Sequence, residues 1–146
     1  MDKKQQYCTF YLNGEYFGIE VEKVQEVIKE QPFTTVPLAP STIKGLINLR
    51  GQIIAVIDLR ARLECPPFLG NIANRMIIIL KHKEYFVGFL VDKIGEVWAV
   101  DVDDFHSVPE TLRGVAREMI TGTFKRDEGL LKILNTEKTN DFRVAI

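Results

Sequence analysis

Apolar and polar positions fall into short runs separated by turn residues, the pattern of strands rather than of long helices. Residues 6–12 (QYCTFYL) and 15–20 (EYFGIE) flank Asn13-Gly14, a dipeptide that accepts positive φ at both central positions of a type I′ turn, and so predict a hairpin. Val21, Val24 and Ile28 then recur at helical spacing, with Val27 beside them and Glu22, Lys23, Gln25 and Glu26 between. That spacing predicts a short amphipathic helix over 21–28, covering a barrel end or a sheet face. Three prolines in 32–41 (PFTTVPLAPS) deny ladder donors and predict a loop with room for one brief strand. Residues 43–60, IKGLINLRGQIIAVIDLR, read as two apolar strands joined through Arg50 and Gly51.

The chain then repeats itself. GIEVEKVQEV (18–27) aligns with GFLVDKIGEV (88–97), holding Gly, Val, Lys, Glu and Val at identical offsets, and each copy comes after Glu-Tyr-Phe. Ile43-Lys44-Gly45 is echoed by Ile120-Thr121-Gly122, and Ile54-Ala55-Val56-Ile57-Asp58 by Leu131-Lys132-Ile133-Leu134-Asn135. Self-similarity of this length predicts one supersecondary unit used twice. The expected division is a subdomain over about 6–64, a connection over about 65–74, a second subdomain over about 75–138 and a C-terminal segment at 139–146. Both subdomains are expected to be all-β with short helices, and Gly18 and Gly88 to occupy equivalent positions.

Several strands are apolar on both faces. Ile53, Ala55 and Ile57 share one side and Ile54 and Val56 the other, and Met76 to Leu80 (MIIIL) is apolar throughout. A strand of a small barrel that faces water should alternate, so these runs imply covered outer faces, by the other subdomain, by short helices or by another protein.

Composition narrows the functions. Nineteen Lys and Arg against 20 Asp and Glu leave a net charge of -1, with no excess of cations to neutralise a phosphate backbone, so nucleic acid is not an expected partner. No run reaches the roughly 18 apolar residues of a membrane span, which gives no expectation of membrane insertion and reads as cytoplasmic. Cys8 and Cys65 have no Cys-x-x-Cys spacing and fit a reducing compartment. His82 and His106 stand at no metal-ligand spacing, Ser41 and Ser107 lie in no nucleophile elbow, and the glycines are scattered one per turn rather than gathered in a phosphate loop. No catalytic residue, metal site or cofactor is expected; the chain reads as a binding protein, with a small β-barrel enzyme as the remote alternative.

Taken together, YFGIEVEKVQEVI, IKGLINLRG, IIAVIDLR and YFVGFLVDKIGEV resemble the CheW-type chemotaxis coupling proteins over about Tyr7 to Lys138. The resemblance implies two SH3-like five-stranded β-barrels related by pseudo-two-fold symmetry. It also implies a non-enzymatic adaptor linking chemoreceptor cytoplasmic tips to the regulatory domain of the histidine kinase CheA, with ring or array assembly at the inner face of the membrane. A CheW-like adaptor of a non-chemotaxis kinase pathway, such as surface motility or development, is the alternative. Arg50 of the Asn-Leu-Arg-Gly motif, with Val24 and Glu26, corresponds to the receptor-binding surface. Val24 is expected to supply apolar contact, and Arg50 and Glu26 to form a polar pair or to reach charges on the partner. Ile54, Val56, Met76 and Ile78 are candidates for kinase binding through exposed strand faces. Where the family often has Pro before Val-Ile-Asp-Leu-Arg, this chain has Ala55, which restores an amide donor to that strand.

Overall fold

Asn13 (φ 55°) and Gly14 (φ 77°) close a two-residue turn between β1 (Lys4–Leu12) and β2 (Glu15–Glu20) in the computed structural model, which describes residues 3–66, 74–110, 114–127 and 129–139. The same device, Arg50 (φ 50°) and Gly51 (φ 86°), joins β4 (Ile43–Leu49) to β5 (Gln52–Asp58). Both turns accept positive φ twice, as a type I′ hairpin requires. A one-turn helix, α1 (Leu59–Arg62), follows β5 and is capped by the Asp58 carboxylate, which accepts the amides of Arg60 and Ala61. The second half contributes β6 (Met76–His82), β7 (Tyr85–Val91), β8 (Lys93–Asp101), β9 (Ile120–Arg126) and β10 (Gly129–Leu134), with α2 at Val115–Met119 and α3 at Thr136–Thr139. The expected connection and C-terminal segment lie largely outside the described residues.

The helix expected over 21–28 is not formed. Val21–Lys23 make a single 3-10 turn, and Val24–Lys29 extend as an edge strand, β3, antiparallel to β6. No side chain caps the turn at Glu20, the β-branched Val24, Val27 and Ile28 favour extended backbone, and β6 offers a ladder from Leu80 to Met76. Half-buried and exposed residues alternate along β3, across a bulge between Val24 and Glu26.

Among the described residues ten strands form two five-stranded sheets, ordered β8-β1-β2-β10-β9 and β3-β6-β7-β5-β4. Each has one parallel pair, β2 with β10 and β7 with β5, placing Gly18 beside Ile133 and Gly88 beside Val56. The two glycines are therefore equivalent, and so are the bulges between Ile43 and Gly45 and between Ile120 and Gly122. The bridges Thr34 to Leu46 and His106 to Thr123 are equivalent too. Among the described residues no ladder joins the edge strands of either sheet, so the SH3-like pairing does not close into a hydrogen-bonded barrel.

The sheets do not follow the expected division at 6–64 and 75–138. The first takes β1 and β2 from the first half and β8, β9 and β10 from the second; the other takes β6 and β7 from the second half and β3, β4 and β5 from the first. The chain crosses between sheets directly after the strand that holds each glycine, β2 or β7. Asp92 sits at one crossover, where its carboxylate accepts Arg60 Nε at 2.8 Å, Arg60 Nη2 at 2.5 Å and the Asn13 amide at 2.8 Å. Arg60 also donates to the Pro66 carbonyl at 2.9 Å. This cluster ties the β1–β2 turn of one sheet to α1 beneath the other.

Three apolar clusters explain the two-faced strands. One lies between the sheets and contains Phe10, Phe17, Ile19, Ile57, Ile78, Leu80 and Phe89. Each sheet also curls around a cluster of its own, Tyr7, Trp98, Phe124, Leu131 and Ile133 in the first and Ile47, Ile54, Val56, Ile77, Ile79 and Leu90 in the second. A strand such as β5 thus has apolar neighbours on both sides without any partner protein. β5 is an interior strand, between β4 and β7, so the amide restored at Ala55 falls within the sheet rather than at its edge.

Candidate functional site

Arg50 and Glu26 are brought together from different elements. Arg50 stands at the tip of the β4–β5 hairpin, where Gly51 N–H donates to the Asn48 side-chain oxygen at 3.0 Å and fixes the turn. Glu26 lies on β3 opposite Ile79, and Arg50 Nη2 donates to its Oε1. The hydrogen bond and charge of Glu26 together push the Arg50 guanidinium further up from its already high pKa, so it is a permanent cation. The Arg50 side chain keeps 70% of its exposure and Glu26 28%, which leaves the pair in solvent and of little weight in folding.

Beneath the pair lies a cavity of about 240 Å³, with Ile54, Ile79, Leu49 and Phe86 as its apolar lining. Its floor is the end of the cluster that the second sheet encloses. The arrangement is a charged rim over a mixed well, lined by Gln25 and Gln52 besides the four apolar side chains, with a guanidinium presented outward by a rigid two-residue turn. Val24 is not part of it. The bulge between Val24 and Glu26 turns the two side chains to opposite faces, and Val24 packs half-buried on the cluster between the sheets.

The four kinase-facing candidates are placed mainly inside. Ile54 and Val56 are buried in the second sheet's own cluster, and Ile78 is buried between the sheets. Only Met76 keeps partial exposure. Val56 and Ile78 are core and offer no contact surface, and Ile54 reaches only the floor of the well beneath Arg50 and Glu26, not an exposed strand face; the two covered faces of β5 and β6 account for this. Among the described residues, the large apolar side chains most open to solvent are Ile53, Val27, Tyr85, Val97, Val102, Phe105 and Leu38. Ile53 was legible only as one of a run, because its neighbours two residues on, Ala55 and Ile57, share its face and are progressively covered.

Among the described residues no group of three His, Cys, Asp or Glu side chains could hold a metal ion. Burial pushes the Cys8 thiol up, and for Cys65 it does so against the opposing pull of Arg60, so both stay protonated near neutral pH and are weak nucleophiles. Arg60 and Asp92, the most buried ion pair described, were not singled out in the sequence because 32 positions separate them.

A model of the CheW-like domain matches residues 6–141. The chemotaxis protein CheW of Treponema pallidum is 31% identical over 140 residues, covering 94% of this chain and 82% of that protein. CheW of Bacillus subtilis is 33% identical over 137 residues, covering 94% and 87%. A crystal structure of the scaffolding protein TtCheW from Thermoanaerobacter tengcongensis superimposes with a TM-score of 0.87 at 27% identity, over 98% of this chain and 92% of that one. No helix among the described residues is long and apolar enough to cross a membrane.

Proposed function

Since the chain belongs to the CheW-like domain family, we propose that it acts as a non-enzymatic adaptor that couples chemoreceptors to the histidine kinase CheA in chemotaxis signal transduction. The observation that carries this reading is the family match across both sheets, on a fold shared with a scaffolding protein. Within it, the receptor-reading surface is the Arg50–Glu26 rim and the mixed well beneath. A helical receptor tip supplies an apolar side chain to the well and a polar group to Arg50, whose fixed guanidinium fork suits a carboxylate. Val24 contributes by holding β3 against the inter-sheet cluster rather than by direct contact.

Contact with the kinase regulatory domain is assigned to the exposed border of the second sheet, at Met76 and along the edge strand β3, where Val27 faces solvent. The pseudo-symmetry of the two sheets supports pairing at both ends of the molecule, and so rings or arrays, at the cytoplasmic face of a membrane that the receptors cross. The test is sedimentation of the purified protein with receptor-containing membranes, with and without the kinase. Stoichiometric capture by receptors, strengthened by kinase, is expected. Failure to bind either would refute the reading.

A further inference from the structure

Two hairpins of this chain close on the same two-residue turn but with different first residues. Asn13-Gly14 is a pair that enters positive φ readily at both positions, whereas the β4–β5 turn seats Arg50, with its long side chain, at φ 50°. Turn chemistry alone favours an asparagine or glycine there, so the arginine is held in a conformation that its own preferences do not supply. Each turn has an outside anchor. The Asn13 amide donates to the Asp92 carboxylate at 2.8 Å, and the Gly51 amide to the Asn48 side-chain oxygen at 3.0 Å. Leu49 with Gln52 is the last rung of the β4–β5 ladder, so the Gly51 amide stands beyond it and Asn48 supplies its acceptor. Asn48 pairs across the hairpin with Ile53, on the face opposite to Leu49 and Ile54, and those two line the well beneath Arg50. The Asn48 side chain thus reaches the turn from behind the well.

We propose that Asn48 is a positioning residue for the receptor-reading guanidinium: it fixes the left-handed turn from which Arg50 is aimed, and so sets receptor affinity without touching the receptor. The inference rests on the assignment of the Arg50–Glu26 rim to receptor binding. Arg50 is held at two points, its guanidinium by Glu26 Oε1 and its backbone through the Asn48–Gly51 bond. Glu26 restrains only the far end of a side chain with several rotatable bonds. A guanidinium fork recognises a carboxylate by its direction, so the base of the side chain needs fixing as well, and every freed torsion adds to the entropy lost on docking. Without its anchor the turn samples other dihedrals, and Arg50 leaves the left-handed region because its Cβ is crowded there. Asn48 is itself exposed, so water screens its bond and the fold gains little from it. Aim and stability are thereby separable at this residue.

The test is a double-mutant cycle in the full chain, titrated against a soluble receptor-tip fragment and, separately, against the kinase regulatory domain. Asn48→Ala is expected to weaken receptor binding about three- to tenfold, the equivalent of one hydrogen bond, with kinase binding unchanged and a thermal midpoint within about 4 °C of wild type. In an Arg50→Ala background the same substitution is expected to change receptor binding less than about twofold, because no guanidinium is left to aim. Amide exchange at Gly51, followed by NMR, is expected to be slow in the wild-type chain and faster in Asn48→Ala. Three results overturn the inference alone, given that Arg50→Ala loses receptor binding: Asn48→Ala binds the receptor as wild type does, it weakens binding equally with and without Arg50, or it weakens binding of both partners alike. The second would make Asn48 a direct contact and the third a structural support. Arg50→Ala that binds the receptor as well as wild type overturns the rim assignment, and this inference with it. The exchange arm needs only the wild-type chain: a Gly51 amide as open as in an unfolded chain removes the anchor, whatever the stability of the variants.

Discussion

Gly18→Ala and Gly88→Ala form a matched pair, because pseudo-symmetry makes the sites equivalent while their surroundings differ. A methyl at Gly88 would stand 2.8 Å from Ile77 Cγ2 and 3.1 Å from Val56 Cγ2, and both of those side chains are fully buried and branched at Cβ. Neither can turn aside without leaving its rotamer, so the added carbon overpacks the second sheet's cluster at a cost of about 1–3 kcal/mol. At Gly18 the nearest atoms are the terminal methyls Ile133 Cδ1 at 3.2 Å and Leu131 Cδ1 at 3.3 Å. These yield by a few tenths of an ångström, and the loss of glycine's freedom in the unfolded chain returns about 0.4–1 kcal/mol, so the net change is expected near zero. At this chain length each kcal/mol moves the thermal midpoint by about 2–4 °C. Thermal and urea melts followed by far-UV circular dichroism, with the urea slope unchanged, check both numbers. A Gly88→Ala variant as stable as the wild type, or a Gly18→Ala variant that is the worse of the two, would refute the packing argument.

Asp92→Asn breaks the bidentate contact with Arg60 and is expected to cost about 1–3 kcal/mol, the cost of a broken buried pair reduced for the water that reaches the site. Burial raises the Asp92 carboxyl, but Arg60 and the Asn13 amide outweigh it and hold the group below its ordinary value. Its stabilisation is therefore complete above the unfolded carboxylate pKa of about 3.9 and is lost as pH falls through the lower folded value. The gap between wild type and Asp92→Asn in urea melts should narrow only under strongly acid conditions; a gap that vanishes by neutral pH would exclude this role. Val56→Asp places an uncompensated carboxylate in the second sheet's cluster and should prevent folding, read by circular dichroism. A folded Val56→Asp chain defective only in kinase binding would return Val56 to the surface. Arg50→Ala is expected to weaken binding of a receptor-tip fragment roughly tenfold or more with an unchanged melt; equal loss toward the kinase regulatory domain would reject the receptor assignment.

What could be read from residues alone divides by the range of the interaction. Asn13-Gly14 and Arg50-Gly51 announced their hairpins because positive φ is a local demand. The internal repeat was legible for the same reason, since each glycine and its flanking pattern recur intact. β3 was misread because Val21, Val24 and Ile28 satisfy helical spacing, and only the waiting edge of β6 decides otherwise. The Arg50–Glu26 pair was anticipated, but Val24 was grouped with it, since a bulge that turns one side chain away leaves no mark in an otherwise regular segment. Ile54, Val56 and Ile78 were placed outside because two-sided apolar strands say that both faces are covered, not by what. The exchange of strands between halves was invisible: a repeat looks the same whether each unit completes its own sheet or its neighbour's.

That exchange gives the molecule the connectivity of a homodimer whose two identical chains traded three strands each and were then joined end to end. Neither half carries a complete sheet, so neither is expected to persist alone, and the linkage near 65–74 turns what would be a concentration-dependent association into a folding step of a single chain. A chain cut there while unfolded would recover its sheets only by recombination of the two fragments. Duplication followed by fusion is the simplest history that leaves this topology, and once fused, the halves were free to diverge, one keeping the Arg50–Glu26 rim and the other packing Tyr16 against Trp98.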